Sequence, residues 1–565
     1  MSKNGKKQTK SALKWLFYKS KKQWFNIVLL ILANSFFSIL SVAFAYAVKM
    51  IIDGATMPAS NSMDKNQAIM IGAIAIGIIV ILQFVFRFIC NGLTEHIKGK
   101  LEILYKTHIF NQILQKKYNK ITQFHSGELL NRLSSDVSVC SENVTAILPT
   151  SIAALVRLIV AIIALCLVDS SFAIIFVTAG LTVAIVMSLI RGKLKSLHKE
   201  IQTSDGKVRS FMQESIENIL SIKTFSAENS ISEKSSKLQQ KTFVAKMKRK
   251  NFSVAGTASH GLVYSAGYVF ALVFGAIKIA SGVESFSYGS LSAVLQLVNN
   301  VQIPFSSLST IMPKYYSMTA SAERLMEIEE IEDDLKEKTD IDRSIYKQLD
   351  GIEIKDLNFV YDRDVVFSNA NAYIQKGKFT VISGRSGIGK STLFKLFLGV
   401  YDYDGQIVLN TLKRKILLNG KTTSLFSYVP QGNTLFSGTI RENITFLNEN
   451  YTNEQIENAL SLSLCNEFIE TFPDGINTII GENGVGLSEG QIQRLTIARS
   501  ILIDAPIMLL DEATSALDNK TEERLLRNLY ELKGKTIIFI THKSKAMEIC
   551  DHHLIIKNKT FEMIK

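Results

Sequence analysis

Cysteine is scarce in this sequence of 565 residues, and the five cysteines are scattered, odd in number and never arranged as CxxC. A disulfide framework or a zinc site is therefore not expected. We expect ordinary reduced thiols at Cys90, Cys140, Cys166, Cys465 and Cys550. A secretory signal peptide is not expected either, because the first apolar run is too long and no small-residue cleavage pattern follows it at the usual distance.

Apolar residues, in contrast, are abundant. They make up 47% of the chain, and the mean hydropathy is +0.16. The length predicts two or three structural units, and this composition favours membrane spans in one of them. The net charge of +13 does not indicate nucleic-acid binding, because the basic residues lie in blocks beside apolar runs. Such blocks are typical of cytoplasmic flanks that are attracted to anionic membrane lipid. The first block consists of Lys3, Lys6, Lys7, Lys10, Lys14, Lys19, Lys21 and Lys22.

Six apolar segments are each long enough to cross about 30 Å of hydrocarbon as a helix. The first, third and fifth connections between them are short and nearly uncharged, whereas the second and fourth are long and basic. The positive-inside rule therefore places both termini and the two long connections in the cytoplasm of a multi-pass plasma-membrane protein. The predicted spans are Phe25–Ile52, Ala68–Cys90, Ala146–Val168, Phe172–Ile190, Phe252–Ala280 and Leu291–Ile311.

The two long connections, about 95–145 and 191–250, contain no proline and few glycines, so we expect them to be helical. A membrane protein does not need such lengths merely to turn around. Two interpretations are open at this point. The connections are either solvated extensions of the spans or arms that reach a cytoplasmic domain.

Charged residues inside the spans mark candidate sites, because ionisable groups in the membrane are expensive and usually functional. Arg157 falls near the middle of the third span. It can meet an anionic group on a transported substrate, or it can pair with another helix. Arg87 lies towards the cytoplasmic end of the second span, where its head group can reach the interface. Lys49 and Asp53 are one helical turn apart, and we expect them to satisfy each other.

The sixth span is the most polar. Gln296, Asn299, Asn300 and Ser307 have spacings that place them on one helical face. Hydrogen bonds between helices are one explanation, and the wall of a water-filled path is the other. We favour the path, because so many amides facing lipid are costly. A charged stretch follows and predicts the domain limits, which are a basic segment 1–22, a membrane domain 23–325, a linker 326–349 and a second domain 350–565.

The second domain alternates β-rich runs with helical stretches, which is typical of a mostly parallel sheet flanked by helices. The run KFTVIS predicts a buried strand that leads into GRSGIGKS and then a helix, the context of a phosphate-binding loop. In such a loop, backbone N–H groups hold the phosphates, a lysine neutralises the β/γ oxygens and a serine ligates Mg²⁺. The candidate ATP-binding residues here are Gly384, Arg385, Ser386, Gly387, Gly389, Lys390, Ser391 and Thr392.

Two further strands end in chemically active residues. IMLL is followed by Asp511 and Glu512, and TIIFIT is followed by His542. A carboxylate at this position supports Mg²⁺ in phosphoryl transfer, and a second carboxylate can polarise the attacking water. We therefore assign Asp511, with Ser391, to the metal and Glu512 to the base. A histidine after such a pair is expected to contact the γ-phosphate.

These motifs, in this order, resemble the nucleotide-binding domain of ATP-binding cassette (ABC) transporters. With six preceding spans, nearly the whole chain resembles a half-transporter of the exporter type. The resemblance implies a membrane α-helical bundle of six transmembrane helices joined to an α/β P-loop NTPase domain of the ABC type. It also implies that Tyr361 stacks on adenine, and that Gln431 lies at the metal and the attacking water.

The segment LSEGQ resembles the signature motif of the family, which binds a nucleotide held by the partner subunit. The resemblance implies that Ser488, Gly490 and Gln491 contact that ATP, and that Asp518 lies at the dimer seam. Glu489 departs from the family, which commonly has glycine there. A carboxylate near triphosphate is unfavourable if it points inward. The segments 124–137 and 217–228 resemble those that flank or form the coupling helices of the family.

The expected function is ATP-driven efflux of a peptide, lipid or amphipathic small molecule by alternating access of a dimer. The expected cofactors are ATP and Mg²⁺, and the expected partners are a second copy of the chain and membrane lipid, with no nucleic acid. A heterodimer is an alternative to the homodimer, because Glu489 can be tolerated in a weaker second site. An ATP-gated channel or transport regulator of the same architecture is another alternative. The six spans argue against a soluble ABC ATPase acting on nucleic acid.

Overall fold

The computed structural model describes residues 3–56, 62–282, 286–334, 341–361, 364–412, 414–481, 484–532 and 534–564. Side chains are described throughout these ranges except at residues 3–10, 62–64, 420, 421 and several positions between 179 and 310. The chain forms two compact units. The first unit is Met1–Gln112 with Ser126–Glu330, and the second unit is Ile113–His125 with Ile331–Lys565. The predicted linker contains residues 335–340, which lie outside the described residues.

The first half of the chain is helical throughout the part described, apart from short turns. Runs of apolar residues form the long helices, and Arg132–Asp136 forms a π-helical turn. The helices are α1 Lys3–Lys19, α2 Trp24–Thr56, α3 Ser62–Gln115, α4 Tyr118–Ile121, α5 Ser126–Asn131, α6 Val137–Val168, α7 Ser170–Glu217, α8 Ile219–Thr224, α9 Glu228–Ala280 and α10 Tyr288–Glu330.

Each of the six predicted spans lies within one of the long helices α2, α3, α6, α7, α9 and α10. By length and composition, three helical stretches of the described residues can cross a membrane, namely Lys21–Thr56, Lys65–Gln115 and Ser126–Val168. The helical region Tyr264–Ala280 is apolar but shorter. The membrane-helix fold is thus confirmed, whereas the count of six spans stays a prediction.

The core of the first unit lies where α2, α6, α7, α9 and α10 meet. Small residues such as Ala45, Ala161 and Ala164 let the helix backbones approach closely. Large side chains such as Phe172 and Leu297 fill the remaining space. The predicted pair in α2 is confirmed, because Nζ of Lys49 lies 2.7 Å from Oδ2 of Asp53.

The second unit contains the strands and the remaining helices, and its strands include the short β-rich runs expected from the sequence, such as Phe379–Gly384 and Thr536–Ile540. The strands are β1 Leu349–Tyr361, β2 Asp364–Gln375, β3 Phe379–Gly384, β4 Asp404–Thr411, β5 Lys415–Leu417, β6 Phe426–Val429, β7 Gly438–Thr439, β8 Ile479–Ile480, β9 Ile507–Asp511, β10 Thr536–Ile540, β11 His552–Lys557 and β12 Thr560–Met563. The helices are α11 Lys390–Phe397, α12 Ile440–Thr445, α13 Asn453–Leu462, α14 Asn466–Ile469, α15 Glu489–Leu502, α16 Asn519–Tyr530 and α17 Ser544–Ile549.

Within the described residues, the central sheet has the order β12-β11-β3-β10-β9-β6, and its strands are parallel except for the edge strand β12. The strands β3, β9 and β10 are almost fully buried, as expected for a parallel sheet covered on both faces. Their carboxyl ends meet at one edge, where ligands of open α/β sheets bind. An antiparallel sheet of order β2-β1-β4-β5 accompanies it.

Residues 113–125, from the first long connection, belong to the second unit. There the chain pairs with the residues that follow α10. The N–H of Lys117 donates to the carbonyl of Glu332 at 3.1 Å, and the N–H of Asp334 donates to the carbonyl of Gln115 at 2.8 Å. Nζ of Lys116 also lies 2.7 Å from Oδ1 of Asp333. The middle of the first long connection, residues 113–125, is thus part of the second compact unit.

Candidate functional site

The loop between β3 and α11 has the geometry of a phosphate-binding loop. Gly384, Gly387 and Gly389 have φ angles of +155°, +77° and +109°. A Cβ at Gly389 would lie 2.2 Å from Cγ1 of Val366, so no side chain fits there. Nζ of Lys390 bonds to the carbonyls of Gly384 and Arg385, both at 3.1 Å. The ammonium group of Lys390 therefore lies within the loop, at the N-terminus of α11.

Asp511 lies beside this loop at the end of β9 and is 1% exposed. Burial raises the pKa of Asp511, and hydrogen bonds from Ser391 and Tyr428 oppose this shift. Burial lowers the pKa of Lys390, while the carboxylates of Glu512 and Asp511 oppose that shift. Oδ1 of Asp511 is buried, and no hydrogen-bond partner for it occurs in the described part of the chain. Oδ1 of Asp511 is therefore an oxygen beside the phosphate-binding loop that accepts no hydrogen bond from the described residues.

Glu512 brings together two residues that are distant in sequence. Nε2 of Gln431 donates to Oε2 of Glu512 at 2.8 Å, and Nε2 of His542 lies 3.3 Å from Oε1. The backbone of Glu512 has a φ of +50°, a left-handed conformation that is uncommon for a residue with a side chain. Its N–H donates to the carbonyl of Ile540 at 2.9 Å. The three predicted catalytic residues thus meet at the carboxyl ends of neighbouring strands.

Tyr361 is the last residue of β1, and 53% of its surface is exposed. Its ring packs edge-on against Tyr401, with centroids 5.8 Å apart. The ring of Tyr401 also packs edge-on against the ring of Tyr118, which lies in the segment 113–125, with centroids 6.5 Å apart. Burial raises the pKa of Tyr401 to about 12. The sequence motifs did not predict Tyr401, which follows α11 and is recognisable only from its position in the fold.

The predicted signature segment forms the N-terminus of α15. Oγ of Ser488 accepts a hydrogen bond from the N–H of Gln491 at 3.3 Å, and Oε1 of Gln491 accepts one from the N–H of Ser488 at 2.8 Å. This capping box leaves other N–H groups of the first turn able to bind an anion. A Cβ at Gly490 would lie 3.1 Å from the carbonyl oxygen of Ala516. The side chain of Glu489 is exposed.

Asp518 has a local structural role in the described residues. Its Oδ1 accepts hydrogen bonds from the N–H groups of Lys520 and Thr521, both at 3.1 Å, and so caps α16. Three predicted residues of the phosphate-binding loop remain. Arg385 and Ser386 are exposed, and Thr392 is partly buried.

Glu522 was not singled out in the sequence, although it is 1% exposed. Oγ1 of Thr514 donates to Oε1 of Glu522 at 2.8 Å, and Nζ of Lys543 lies 3.1 Å from Oε2. Lys543 also donates to the carbonyls of Thr514 and Leu517, at 2.8 and 3.0 Å. This network joins the loop after Glu512 to the residue after His542. A glutamate in the first turn of a helix gives no sequence signal for such a role.

The predicted polar residues of the spans have different surroundings in the first unit. Asn300 is buried and donates to the backbone carbonyls of Ser41 and Gln296, at 3.4 and 3.2 Å. Asn299 is exposed and is hydrogen-bonded to Tyr264 of α9. The expected single polar face is therefore divided, because adjacent helical positions point about 100° apart. Arg157 donates to Oγ of Ser41 at 3.2 Å.

Fold and site together define a P-loop ATPase unit carried on the same chain as membrane-spanning helices. Comparison with known families agrees. Residues 24–305 match the ABC transporter transmembrane region, and residues 367–515 match the ABC transporter model. The chain belongs to the ABC transporters, of the exporter type. It is thus a membrane protein that binds and hydrolyses ATP in order to drive transport, and its half-transporter architecture implies a dimer.

Individual relatives are distant. The chain is 27% identical over 504 residues to the ATP-dependent lipid A-core flippase of Pectobacterium atrosepticum, covering 88% of this chain and 85% of the relative. It is 29% identical over 542 residues to ABC transporter B family member 1 of Dictyostelium discoideum, covering 94% of this chain and 58% of the relative. A solved bacterial Atm1-family ABC exporter with ATP bound has the same fold, with a TM-score of 0.82, 20% identity and coverage of 95% and 94%.

Proposed function

We propose that this protein is an ATP-driven exporter of the bacterial plasma membrane that works as a homodimer. The observation that supports this most directly is the contact of Gln431 and His542 with the Glu512 carboxylate. Lys390 and Asp511 lie at the same edge of the sheet. One chain therefore carries a full hydrolytic set, and two identical chains can supply two working sites.

The phosphate-binding loop is proposed to hold the triphosphate, with Lys390 neutralising the β/γ oxygens. Among the described residues, Lys390 bonds to two loop carbonyls that a phosphate can replace. Tyr361 is proposed to stack on adenine. Its exposed ring at the end of β1 is held from one side by Tyr401 and so offers a free face.

The residues at the loop fit a Mg²⁺ ion. Asp511 has a buried oxygen without a hydrogen-bond partner in the described residues, and Ser391 is hydrogen-bonded to the same carboxylate. Mg²⁺ prefers oxygen ligands and binds through one or two carboxylates or hydroxyls together with substrate phosphates. Ser391, Asp511 and Gln431 are proposed to hold it. When bound, Mg²⁺ neutralises charge on the β/γ oxygens.

Glu512 is proposed to act as the general base towards the attacking water. Gln431 and His542 hold its two oxygens from opposite sides, which fixes the direction of the carboxylate. His542 is exposed enough to contact a γ-phosphate while it remains next to Glu512. This positioning is what the enzyme supplies, because phosphoryl transfer depends mainly on geometry and electrostatic stabilisation.

Ser488, Gly490 and Gln491 are proposed to contact the ATP held by the partner subunit. The hydroxyl of Ser488 lies at the N-terminus of a helix of fourteen residues, a surface suited to phosphate. The exposed carboxylate of Glu489 can turn to solvent and leave the backbone donors free. Asp518 orders the neighbouring seam by capping α16.

Closure of the two ATP-binding units is proposed to turn the membrane cavity outward, and hydrolysis resets it. Both termini and the ATP-binding units then lie in the cytoplasm, as the basic connections indicate. Among the three substrate classes, a lipid or lipid-like amphiphile is favoured, because several relatives are lipid A-core flippases.

The test is Glu512→Gln in the purified full-length protein, with the exposed Glu454→Gln as the matched control. We expect the Glu512→Gln variant to keep its ATP affinity and lose more than about 100-fold in turnover, whereas the control keeps both. Near-normal ATPase activity of the Glu512→Gln variant would remove Glu512 from the role of base.

Two further measurements address the dimer and the transport. The mass of the protein expressed alone, measured with trapped MgATP, is expected to equal two copies of the chain. A monomer under these conditions would favour the heterodimer. In sealed vesicles, a pump accumulates a labelled amphiphile only with hydrolysis, whereas a channel passes it down its gradient in the Glu512→Gln variant as well.

A further inference from the structure

A cation in the third predicted span has almost no partner among the described residues. Arg157 lies in α6 and is half-buried, and its Nη2 donates to Oγ of Ser41 at 3.2 Å. Its Nε is buried and has no hydrogen-bond partner in the described part of the chain. A guanidinium group carries five N–H donors, so most of them are unused here.

Other charged side chains of the described spans are compensated. Lys49 lies 2.7 Å from the carboxylate of Asp53. Lys278 pairs with the carboxylate of Asp169. The guanidinium of Arg87 lies over the ring of Phe37, 5.6 Å from its centroid. Among the residues described, no carboxylate pairs with Arg157, and its contact with another helix is the hydrogen bond to the neutral hydroxyl of Ser41.

Among the described residues, the neighbours of Arg157 add neutral polar groups and no negative charge. Oγ of Ser41 already donates to the carbonyl of Phe37 at 3.0 Å, so it meets Arg157 as an acceptor. The carbonyl of Ser41 accepts the 8%-exposed amide of Asn300 at 3.4 Å. Gln296 lies one turn away on α10, within 3.4 Å of Ser292. Ser41, Arg157 and Asn300 thus form a polar cluster across three helices, in which the hydrogen-bond partner of Arg157 among the described residues is Ser41.

The chemistry that satisfies such a cluster is an anionic oxygen group. A guanidinium ion binds phosphate or carboxylate through paired N–H donors, and such bonds are about twice as strong as neutral ones. On α6, the exposed side chains of Leu155 and Ile159 lie two residues before and two residues after Arg157, and both are apolar. A ligand that reaches Arg157 therefore needs an apolar part that remains in hydrocarbon.

We propose that Arg157, positioned by its hydrogen bond to Ser41, binds the anionic headgroup of an amphiphilic substrate. This inference rests on the proposed export function and names the class of its substrate. A cation near the middle of a membrane helix is costly unless it is compensated. The substrate headgroup supplies the negative charge that the described side chains near Arg157 do not.

The test is equilibrium lipid binding to detergent-purified, nucleotide-free full-length protein, measured by native mass spectrometry. The probes are phosphatidylglycerol and phosphatidylcholine with identical acyl chains. Because basic surfaces also attract anionic lipid, the quantity to compare between variants is the dissociation constant of the tightest lipid site. Arg157→Gln is expected to weaken phosphatidylglycerol binding there about tenfold and to leave phosphatidylcholine unchanged. Arg157→Lys, which keeps the charge, is expected to retain most of the preference.

Arg87→Gln is the matched control, because it removes an arginine from another predicted span, and its preference for phosphatidylglycerol is expected to stay unchanged. Equal losses in the Arg87 and Arg157 variants would overturn the proposal, and so would an unchanged Arg157→Gln variant. Ser41→Ala, which leaves the charge in place, is expected to weaken binding about threefold. This variant keeps the test decisive if Arg157→Gln does not fold.

Millimolar inorganic phosphate distinguishes the source of the anionic group. We expect it not to displace phosphatidylglycerol, and full displacement would contradict an amphiphilic ligand. The binding is measured without nucleotide, so it does not depend on hydrolysis. A failed lipid preference with an intact effect of Glu512→Gln on turnover would remove only this inference, whereas a failed Glu512→Gln result would remove the proposed mechanism.

Discussion

Oε2 of Glu512 accepts a hydrogen bond from Nε2 of Gln431 at 2.8 Å, although 81 residues separate the two along the chain. On the other side, Oε1 of the same carboxylate lies 3.3 Å from Nε2 of His542. β6 and β10 are the two neighbours of β9, so the residues that follow these three strands come together at one edge of the sheet. A carboxylate held from both sides has a defined direction, which a base needs.

Gln431→Ala removes one of these two contacts and leaves the base itself in place. We expect turnover to fall about tenfold with little change in ATP affinity, because the carboxylate loses its orientation and not its charge. Steady-state ATPase kinetics and equilibrium nucleotide binding measure the two effects. The control is Gln406→Ala, at an exposed position of β4. A variant with normal turnover would show that Gln431 does not position Glu512.

Glu522 and Glu523 are adjacent glutamates with opposite surroundings. Glu522 is 1% exposed and bonds to Thr514 and Lys543, whereas Glu523 is only partly buried and pairs with Arg527 at 2.6 Å. We expect Glu522→Ala to lose about 2 kcal/mol of stability, because Lys543 and Thr514 lose a buried partner. Glu523→Ala is expected to lose less than about 0.5 kcal/mol. Apparent Tm values of the two variants provide the comparison, and equal shifts would contradict it.

Both the backbone conformation and the surroundings of Gly389 disfavour any residue with a side chain. Its φ is +109°, and the Cβ of an alanine at this position would lie 2.2 Å from the side chain of Val366. We expect Gly389→Ala to weaken ATP binding more than about tenfold. Adding Val366→Ala relieves the overlap and not the backbone strain. The double variant is therefore expected to recover only part of the affinity measured by equilibrium nucleotide binding. Full recovery would show that sterics alone require glycine here.

Asp511 is expected to make the stability of the nucleotide-free protein depend on pH. Because burial raises its pKa, the folded protein holds this proton more tightly than the unfolded chain does. Its ionisation therefore lowers stability as the pH rises above 3.8, the ordinary value for aspartate. The Asp511→Asn variant has no ionisable group at this position, so we expect a higher apparent Tm than wild type at neutral pH.

The difference in Tm between Asp511→Asn and wild type is expected to shrink as the pH is lowered towards the ordinary aspartate range. Asp474→Asn, at an exposed turn, is the control and is expected to show no difference at any pH. A lower Tm of the Asp511→Asn variant at neutral pH would mean that the ionised carboxylate stabilises the free protein. ATP binding by the Asp511→Asn variant is expected to lose its dependence on Mg²⁺.

Contiguous features of the sequence predicted the family, the ATP-coupled transport activity and the membrane-helix fold, and all three are confirmed. The phosphate-binding loop is an example, since GRSGIGKS contains in eight consecutive residues the glycines, lysine and serine that the geometry uses. The pair Lys49 and Asp53 was also predictable, because one helical turn separates them. The roles of the individual site residues stay predictions.

Contacts between distant segments were not predictable in this way. The interpretation of the first long connection as an arm did not single out residues 113–125, and no motif indicated that Tyr401 packs between Tyr118 and Tyr361. The burial of Glu522 was equally hidden, because its partner Lys543 follows another strand. Adjacent amides in the sixth predicted span also differ, with Asn300 buried and Asn299 exposed.

The sequence by itself determined what is local in this protein, namely which segments are apolar enough to be membrane helices and which loops can bind phosphate. Composition and spacing decide these properties through short-range physics, such as hydrocarbon thickness and backbone freedom at glycine. The tertiary structure decided which distant residues touch. Sheet order brings Gln431 to Glu512, and helix packing leaves Arg157 without a carboxylate in the described residues. Those relationships depend on how elements pack, which no single segment of the chain encodes.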